Sequence, residues 1–243
     1  METDLKIVTK PVTLYGIGVG PGDPELLTFK AARLIQETPV IAVPVSKLDK
    51  DSYALTIVSE YLREDHIVEK LHFPMVRDIE IRERHRQAAA DVIAERLSEG
   101  HDVAFLTEGD PLLHSTFGYL LHRLPLGVNV KVVPGISSIM AAAAQAKLPL
   151  VNADQRLAII PATFEDFGEL RRILLDFDTV VLMKVHPVLD QVVALLDELE
   201  LRDKAVLVER ASHAWGRIYH DLRLFRKSSV NYFSLVIVHR ESK

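Results

Sequence analysis

The chain has 243 residues, 48% of them hydrophobic and 26% charged, which suits a globular protein that buries a sizeable core in one large domain or two small ones. Its 29 Lys and Arg against 34 Asp and Glu leave a net charge of −5, which argues against a protein that coats nucleic acid. There is no cysteine, so disulfides, thiolate metal sites, iron–sulfur clusters and cysteine nucleophiles are excluded. No apolar run reaches the ~20 residues of a membrane span, and Met1-Glu2-Thr3-Asp4-Leu5-Lys6 has neither the basic nor the apolar region of a secretory signal. A cytoplasmic location is the simplest expectation.

In chain order, Val12 to Val19 reads as a strand that runs into Gly20-Pro21-Gly22-Asp23-Pro24. Asp23 is placed to cap a helix with Pro24 at its first position, where a missing N–H costs nothing. Leu27, Ala31, Leu34 and Ile35 then share one face at helical spacing. Val40 to Val43 is a short buried strand stopped by Pro44, and Ala89, Val92, Ile93 and Leu97 form the inner face of a long helix ended by Gly100. Val103 to Leu106 is the next strand, followed by Thr107-Glu108-Gly109-Asp110-Pro111. Val130 to Val133 is another, followed by Pro134-Gly135-Ile136-Ser137-Ser138 and an alanine-rich helix.

After Lys147 to Asn152 the alternation restarts, with strands at Leu157 to Ile160, Thr179 to Met183 and Ala205 to Val208. Val188, Val192, Leu195, Leu196 and Leu199 lie on one face of a helix between two of them. Gly216 to Leu224 and Asn231 to Val238 have no helix between them, so a strand pair joined across Arg226-Lys227-Ser228-Ser229 and a mixed second sheet are predicted. The expected architecture is two α/β domains, 1–148 and 149–243.

Gly16-Ile17-Gly18-Val19-Gly20-Pro21-Gly22 is not a dinucleotide fingerprint, because no register gives G-x-G-x-x-G, and no Gly-Lys-Ser/Thr follows to make a phosphate loop. Its glycines serve either a tight turn or a close backbone approach to a ligand. The loop at 108–111 follows a parallel strand, where open α/β sheets place ligands; Asp110 there is either a helix cap for Leu112 to Leu121 or a ligand contact. Three glycine-bearing polar loops, after three strands of one sheet, are expected to converge on one rim. The ten histidines contain no His-x-His or HExxH pair, and His66, His72, His186, His213 and His220 read as ordinary polar positions. No resident metal is expected.

Taken together, five ordered blocks resemble the S-adenosylmethionine-dependent tetrapyrrole methylases: Tyr15 to Thr28, Glu108 to Leu112, Pro134 to Ser138, Leu182 to Val185 and Glu209 to Ala211. The Gly18-Val19-Gly20-Pro21-Gly22-Asp23 form, the run Asp110 to Phe117 and Leu182-Met183-Lys184 are most similar to the branch that methylates the C20 meso carbon of precorrin-2 or cobalt-factor II in cobalamin biosynthesis. The resemblance implies two α/β domains with the cofactor in the cleft between them, a homodimer, a tetrapyrrole substrate, and no nucleic-acid or membrane partner. It implies a cofactor cradle of Pro21, Gly109, Asp110, Pro111, Leu112, Ser115, Thr116, Ser137, Ser138, Met183, Ala211 and Ser234. Asp110 is the carboxylate best placed to take the meso proton, with His114 second. Arg77, Arg82, Arg84, Arg86 and Lys184 are the candidates for the substrate's carboxylates, with Arg210 beside the cofactor blocks; the 82–86 cluster reads alternatively as a solvated helix face. Two other functions stay open, a uroporphyrinogen-III C-methyltransferase and a non-catalytic subunit that binds a nucleotide-like ligand.

Overall fold

The structure is a computed structural model that describes residues 11–163, 166–225 and 230–240. Cα packing divides it into two units, one holding the residues up to Gly20 with Pro24–Ile136, the other Pro21–Asp23 with the residues from Ser137 on. The opening segment and the 226–229 link lie outside the described residues.

The first unit is built on five parallel strands, β1 (Thr13–Gly18), β2 (Val40–Val45), β3 (Ile67–His72), β4 (Val103–Thr107) and β5 (Asn129–Val133), in the order β3-β2-β4-β1-β5. The inner strands β1, β2 and β4 are buried almost throughout, as their unbroken apolar runs demand of a sheet covered on both faces. Tyr15, Ile17, Ala104 and Leu106 pack on one side with Ala31, Leu34 and Ile35 of α1 (Phe29–Glu37) and Ala54 and Ile57 of α2 (Tyr53–Ile57). Leu14, Val103 and Phe105 pack on the other with Ala89, Ala90, Ile93 and Leu97 of α3 (Ile79–Ser98) and Phe117 and Leu120 of α4 (Phe117–Leu121).

Three local features differ from what the sequence pattern predicts. Pro24 opens a 3-10 turn, Pro24–Leu26, while α1 begins at Phe29 under a Thr28 cap whose hydroxyl accepts from the Ala31 N–H at 3.2 Å. Pro44 does not stop β2. The bonds from Ile67 N to Pro39 O and from Phe73 N to Val45 O turn alternate residues toward β3 and leave Pro44 facing the β4 side, where pairing ends at Ala42. A proline is tolerated where no ladder partner waits. The segment from Leu112 is irregular until α4 starts at Phe117, so Asp110 caps no helix.

The second unit holds β6 (Leu157–Pro161), β7 (Thr179–Met183), β8 (Ala205–Glu209), β9 (Arg217–Tyr219) and β10 (Ser234–His239) in the order β6-β7-β10-β8-β9. β6 and β7 are parallel, and β10 runs antiparallel to both β7 and β8, so the sheet is mixed as predicted. The two terminal strands do not pair with each other, because β8 lies between them and pairs with both. The core joins Val180, Leu182, Leu207 and Val236 to Leu170 and Leu174 of α6 (Phe167–Asp176) and Val192 and Leu196 of α7 (Leu189–Glu198). The alanine-rich α5 (Ser138–Ala146) belongs to this unit and packs on β8. Among the described residues no helix is long and apolar enough to cross a membrane.

Candidate functional site

In the first unit the chain leaves β1 over one face of the sheet, through α1, and leaves β4 over the other, through α4. Adjacent parallel strands whose connections part in this way open a crevice at their carboxyl ends, the usual ligand site of such sheets. The two loops meet there directly, with the Gly109 N–H donating to Gly20 O at 2.8 Å. The glycines prove to be a steric requirement. A Cβ on Gly18 would lie 2.5 Å from Gly109 O and 2.6 Å from Gly135 N, and one on Gly135 would lie 2.1 Å from Gly109 O. Gly18, Gly109 and Gly135 thus form one knot of bare backbone that joins the three loops predicted to converge.

Asp110 ties that knot. Its Oδ1 accepts from Leu112 N at 2.9 Å and its Oδ2 from Gly135 N at 3.1 Å, so one carboxylate clamps the loop after β4 to the loop after β5. Pro111 is buried, Leu112 and His114 are exposed, and His114 sits at a left-handed φ of 52°. Ser115 closes the loop onto β4, its hydroxyl 2.9 Å from Thr107 Oγ1 and accepting from Phe117 N at 3.1 Å, next to half-buried Thr116. Glu108 is the residue that sequence reasoning passed over. It sits between the end of β4 and the knot, and burial without a compensating cation pushes its carboxyl up to about 7. Its one visible signal in the sequence is a carboxylate placed directly between an apolar strand and a glycine.

The second unit gathers the other expected residues at one edge of its sheet. Met183 ends β7 opposite Leu235, Ser234 opens β10 opposite Glu209, and Arg210 N donates to Phe233 O at 2.7 Å. Met183, Ser234 and the Arg210-Ala211 turn therefore lie on neighbouring strand ends, ~5 Å apart per strand. Buried Glu209 fixes the approach to Ser234, accepting from Asn231 N at 3.0 Å and from the Tyr219 hydroxyl at 3.4 Å. Lys184, Arg210 and Ser212 are all left-handed, so the chain turns sharply just past β7 and β8. The Asp23 N–H donates to Ser212 Oγ at 3.1 Å and Ser212 N to Gln145 Oε1 at 2.9 Å, which brings the Pro21–Asp23 segment and α5 to that turn. Ser137 caps α5, accepting from Met140 N at 3.4 Å, and Ser138 begins it.

The arginines divide. Arg86 lies 3.6 Å over the Tyr119 ring and pairs with Glu83 at 2.5 Å, while Arg123 pairs with the other Glu83 oxygen. These partners, Arg123 foremost, hold the Glu83 carboxyl below its ordinary range. Arg86 is therefore a brace between α3 and α4. Arg77 and Arg84 are exposed, and Arg82 is half-buried with its Nε out of solvent. His72 Nε2 lies 3.1 Å from Ser46 O, and His66 Nδ1 accepts from Arg63 N at 2.9 Å, both local contacts.

Residues 13–222 match the model of the Tetrapyrrole (Corrin/Porphyrin) Methylases. The chain belongs to this family. Among its tetrapyrrole methylase relatives, cobalt-precorrin-2 C(20)-methyltransferase of Salmonella typhimurium is 34% identical over 232 residues, covering 94% of this chain and 96% of that one. Cobalamin biosynthesis protein CobIJ of Mycobacterium bovis is 38% identical over 234 residues, 93% of this chain but 46% of the relative, so the chain spans about half that protein's length. A solved structure, uroporphyrin-III C-methyl transferase of Thermus thermophilus complexed with S-adenosyl homocysteine, matches with a TM-score of 0.62 at 25% identity, over 93% of this chain and 97% of that one.

Proposed function

We propose that the chain transfers a methyl group from S-adenosylmethionine to the C20 meso carbon of precorrin-2 or its cobalt-containing counterpart, in cobalamin biosynthesis. The observation that carries this reading is the near end-to-end match to the Salmonella relative, 34% identical over 94% of this chain and 96% of that one. S-adenosylmethionine brings an already activated sulfonium methyl, and a meso carbon of a reduced tetrapyrrole is an electron-rich acceptor. The protein's work is therefore to align the two in line and keep water away.

The residues present fit such a cofactor. Apolar Met183 and small, buried Ala211 suit the faces of a flat adenine. The glycine knot lets bare backbone approach the ligand, with Asp110 holding the loops in place. Pro21, Pro111, Leu112, Ser115, Thr116, Ser137, Ser138 and Ser234 complete the proposed cradle. Arg77, Arg82, Arg84 and Lys184 are the side chains proposed to face the substrate's carboxylates, since Arg86 is engaged by Tyr119 and Glu83. A homodimer is the proposed assembly, which light scattering tests directly. Incubation with S-adenosylmethionine and each macrocycle under anaerobic conditions should yield a singly methylated product. Methyl groups on pyrrole carbons would instead mark a uroporphyrinogen-III methyltransferase.

A further inference from the structure

We propose that Glu108 is the proton acceptor of the reaction, taking the hydrogen from the meso carbon once that carbon carries its new methyl group; this rests on the methyl-transfer reading above. Glu108 directly follows β4, at the crevice where the β1 and β4 connections part, and it adjoins Gly109 of the knot. That is where a parallel sheet offers side chains to a ligand. Among the described residues no hydrogen bond or ion pair engages the Glu108 carboxyl, whereas both oxygens of Asp110 already accept backbone N–H groups.

Of the elements packed against β4, β2 has no titratable side chain, β1 has only Tyr15, α2 only Tyr53 and α4 only Tyr119, while Lys30, Arg33 and Glu37 of α1 are exposed. The α3 face turned inward is Ala89, Ala90, Ile93 and Leu97. In the same loop, Asp110 is the neighbouring carboxyl and His114 is exposed. With nothing cationic to hold the charge, burial alone raises Glu108 to about 7, which suits a base that must be ionised near neutrality and still hold a proton once it has one.

The step balances. The new carbon–carbon bond forms as the sulfur–carbon bond breaks, leaving the macrocycle with one added positive charge and an sp3 meso carbon bearing both hydrogen and methyl. Glu108 then accepts that hydrogen as a proton, the C–H electron pair returns to the ring, and the charge is cancelled between ring and carboxylate.

The test compares wild type with Glu108→Gln and Glu108→Asp, using precorrin-2 and its cobalt form, each with hydrogen or deuterium at C20. Wild-type turnover should rise with pH around 7, and Glu108→Gln should lose that rise and slow by ~10²–10⁴-fold. Its S-adenosylmethionine affinity by calorimetry should stay within about twofold, and a C20 deuterium isotope effect should appear or grow. Glu108→Asp, which keeps a carboxylate, should recover part of the rate and the pH dependence. A Glu108→Gln enzyme with the wild-type rate, pH profile and isotope effect overturns this inference alone. Wild type that methylates neither macrocycle at C20 overturns the functional reading and this inference with it.

Discussion

Replacing Gly135 by alanine probes the glycine knot most sharply. The added methyl carbon would stand 2.1 Å from Gly109 O and 2.7 Å from the Gly18 Cα and carbonyl carbon, all of them backbone atoms that cannot rotate away. Relief requires the loop after β5 to move by about an ångström, an overpacking cost of ~1–3 kcal/mol. The same movement stretches the 3.1 Å bond from Gly135 N to the Asp110 carboxylate, for which a charge-assisted contact contributes ~1.5–3 kcal/mol. Restriction of the unfolded chain by alanine returns ~0.4–1 kcal/mol. The net loss is then roughly 2–5 kcal/mol, a fall in Tm on the order of 5–15 °C for a chain of this size. Gly118→Ala is the matched control, because its Cβ would meet nothing within 4 Å and it lies inside α4, where alanine is the better helix former. Thermal and urea unfolding of both variants decides the matter. A Gly135→Ala protein within about 1 °C of wild type would mean that the three loops are not sterically locked at Gly135.

Asp110→Asn leaves one of the two clamped N–H groups facing an amide, so stability should fall by ~1–3 kcal/mol and S-adenosylmethionine affinity should drop before turnover does; unfolding and calorimetry check the order. Arg86→Ala removes the stack on Tyr119 and the Glu83 pair, so it should lower Tm, whereas Arg84→Ala on the exposed face should not. Glu108 predicts a pH signature independent of activity. An acid raised from 4.5 to about 7 on folding binds its proton more tightly when folded, so ionisation destabilises the fold progressively between those values. Glu108→Gln should match wild type at pH 4 and exceed it above pH 7, by at most about 3 kcal/mol; equal stability at both ends contradicts the burial argument.

The strands were legible wherever burial on both faces produced unbroken apolar runs, as in β1, β2, β4 and β7. β3 was not, because it lies at the edge of its sheet and carries Glu69 and Lys70 within a half-exposed pattern. The start of α1 misled because Asp23 and Pro24 make a sound helix opening by local rules, yet the Asp23 N–H is used by Ser212 and Thr28 supplies the cap. The pairing of β8 with both β9 and β10 is a long-range choice that no local spacing records. At the site, the convergence of the three loops could be anticipated from strand ends and glycine content. The clash that a Cβ at residue 18 or 135 would make with Gly109 O could not, since it exists only in the folded chain. The stack of Arg86 on Tyr119 joins residues far apart in the sequence, and the proton affinity of Glu108 comes from burial, so neither is visible in local spacing.

The position of the transferred methyl group decides whether the chain is a C20-methyltransferase. Precorrin-2 and its cobalt form, each incubated anaerobically with the protein and methyl-labelled S-adenosylmethionine, should give a product with one label, located at C20 by NMR, and S-adenosylhomocysteine in equal amount. A label on a pyrrole carbon, or no labelled product from either macrocycle, would contradict it.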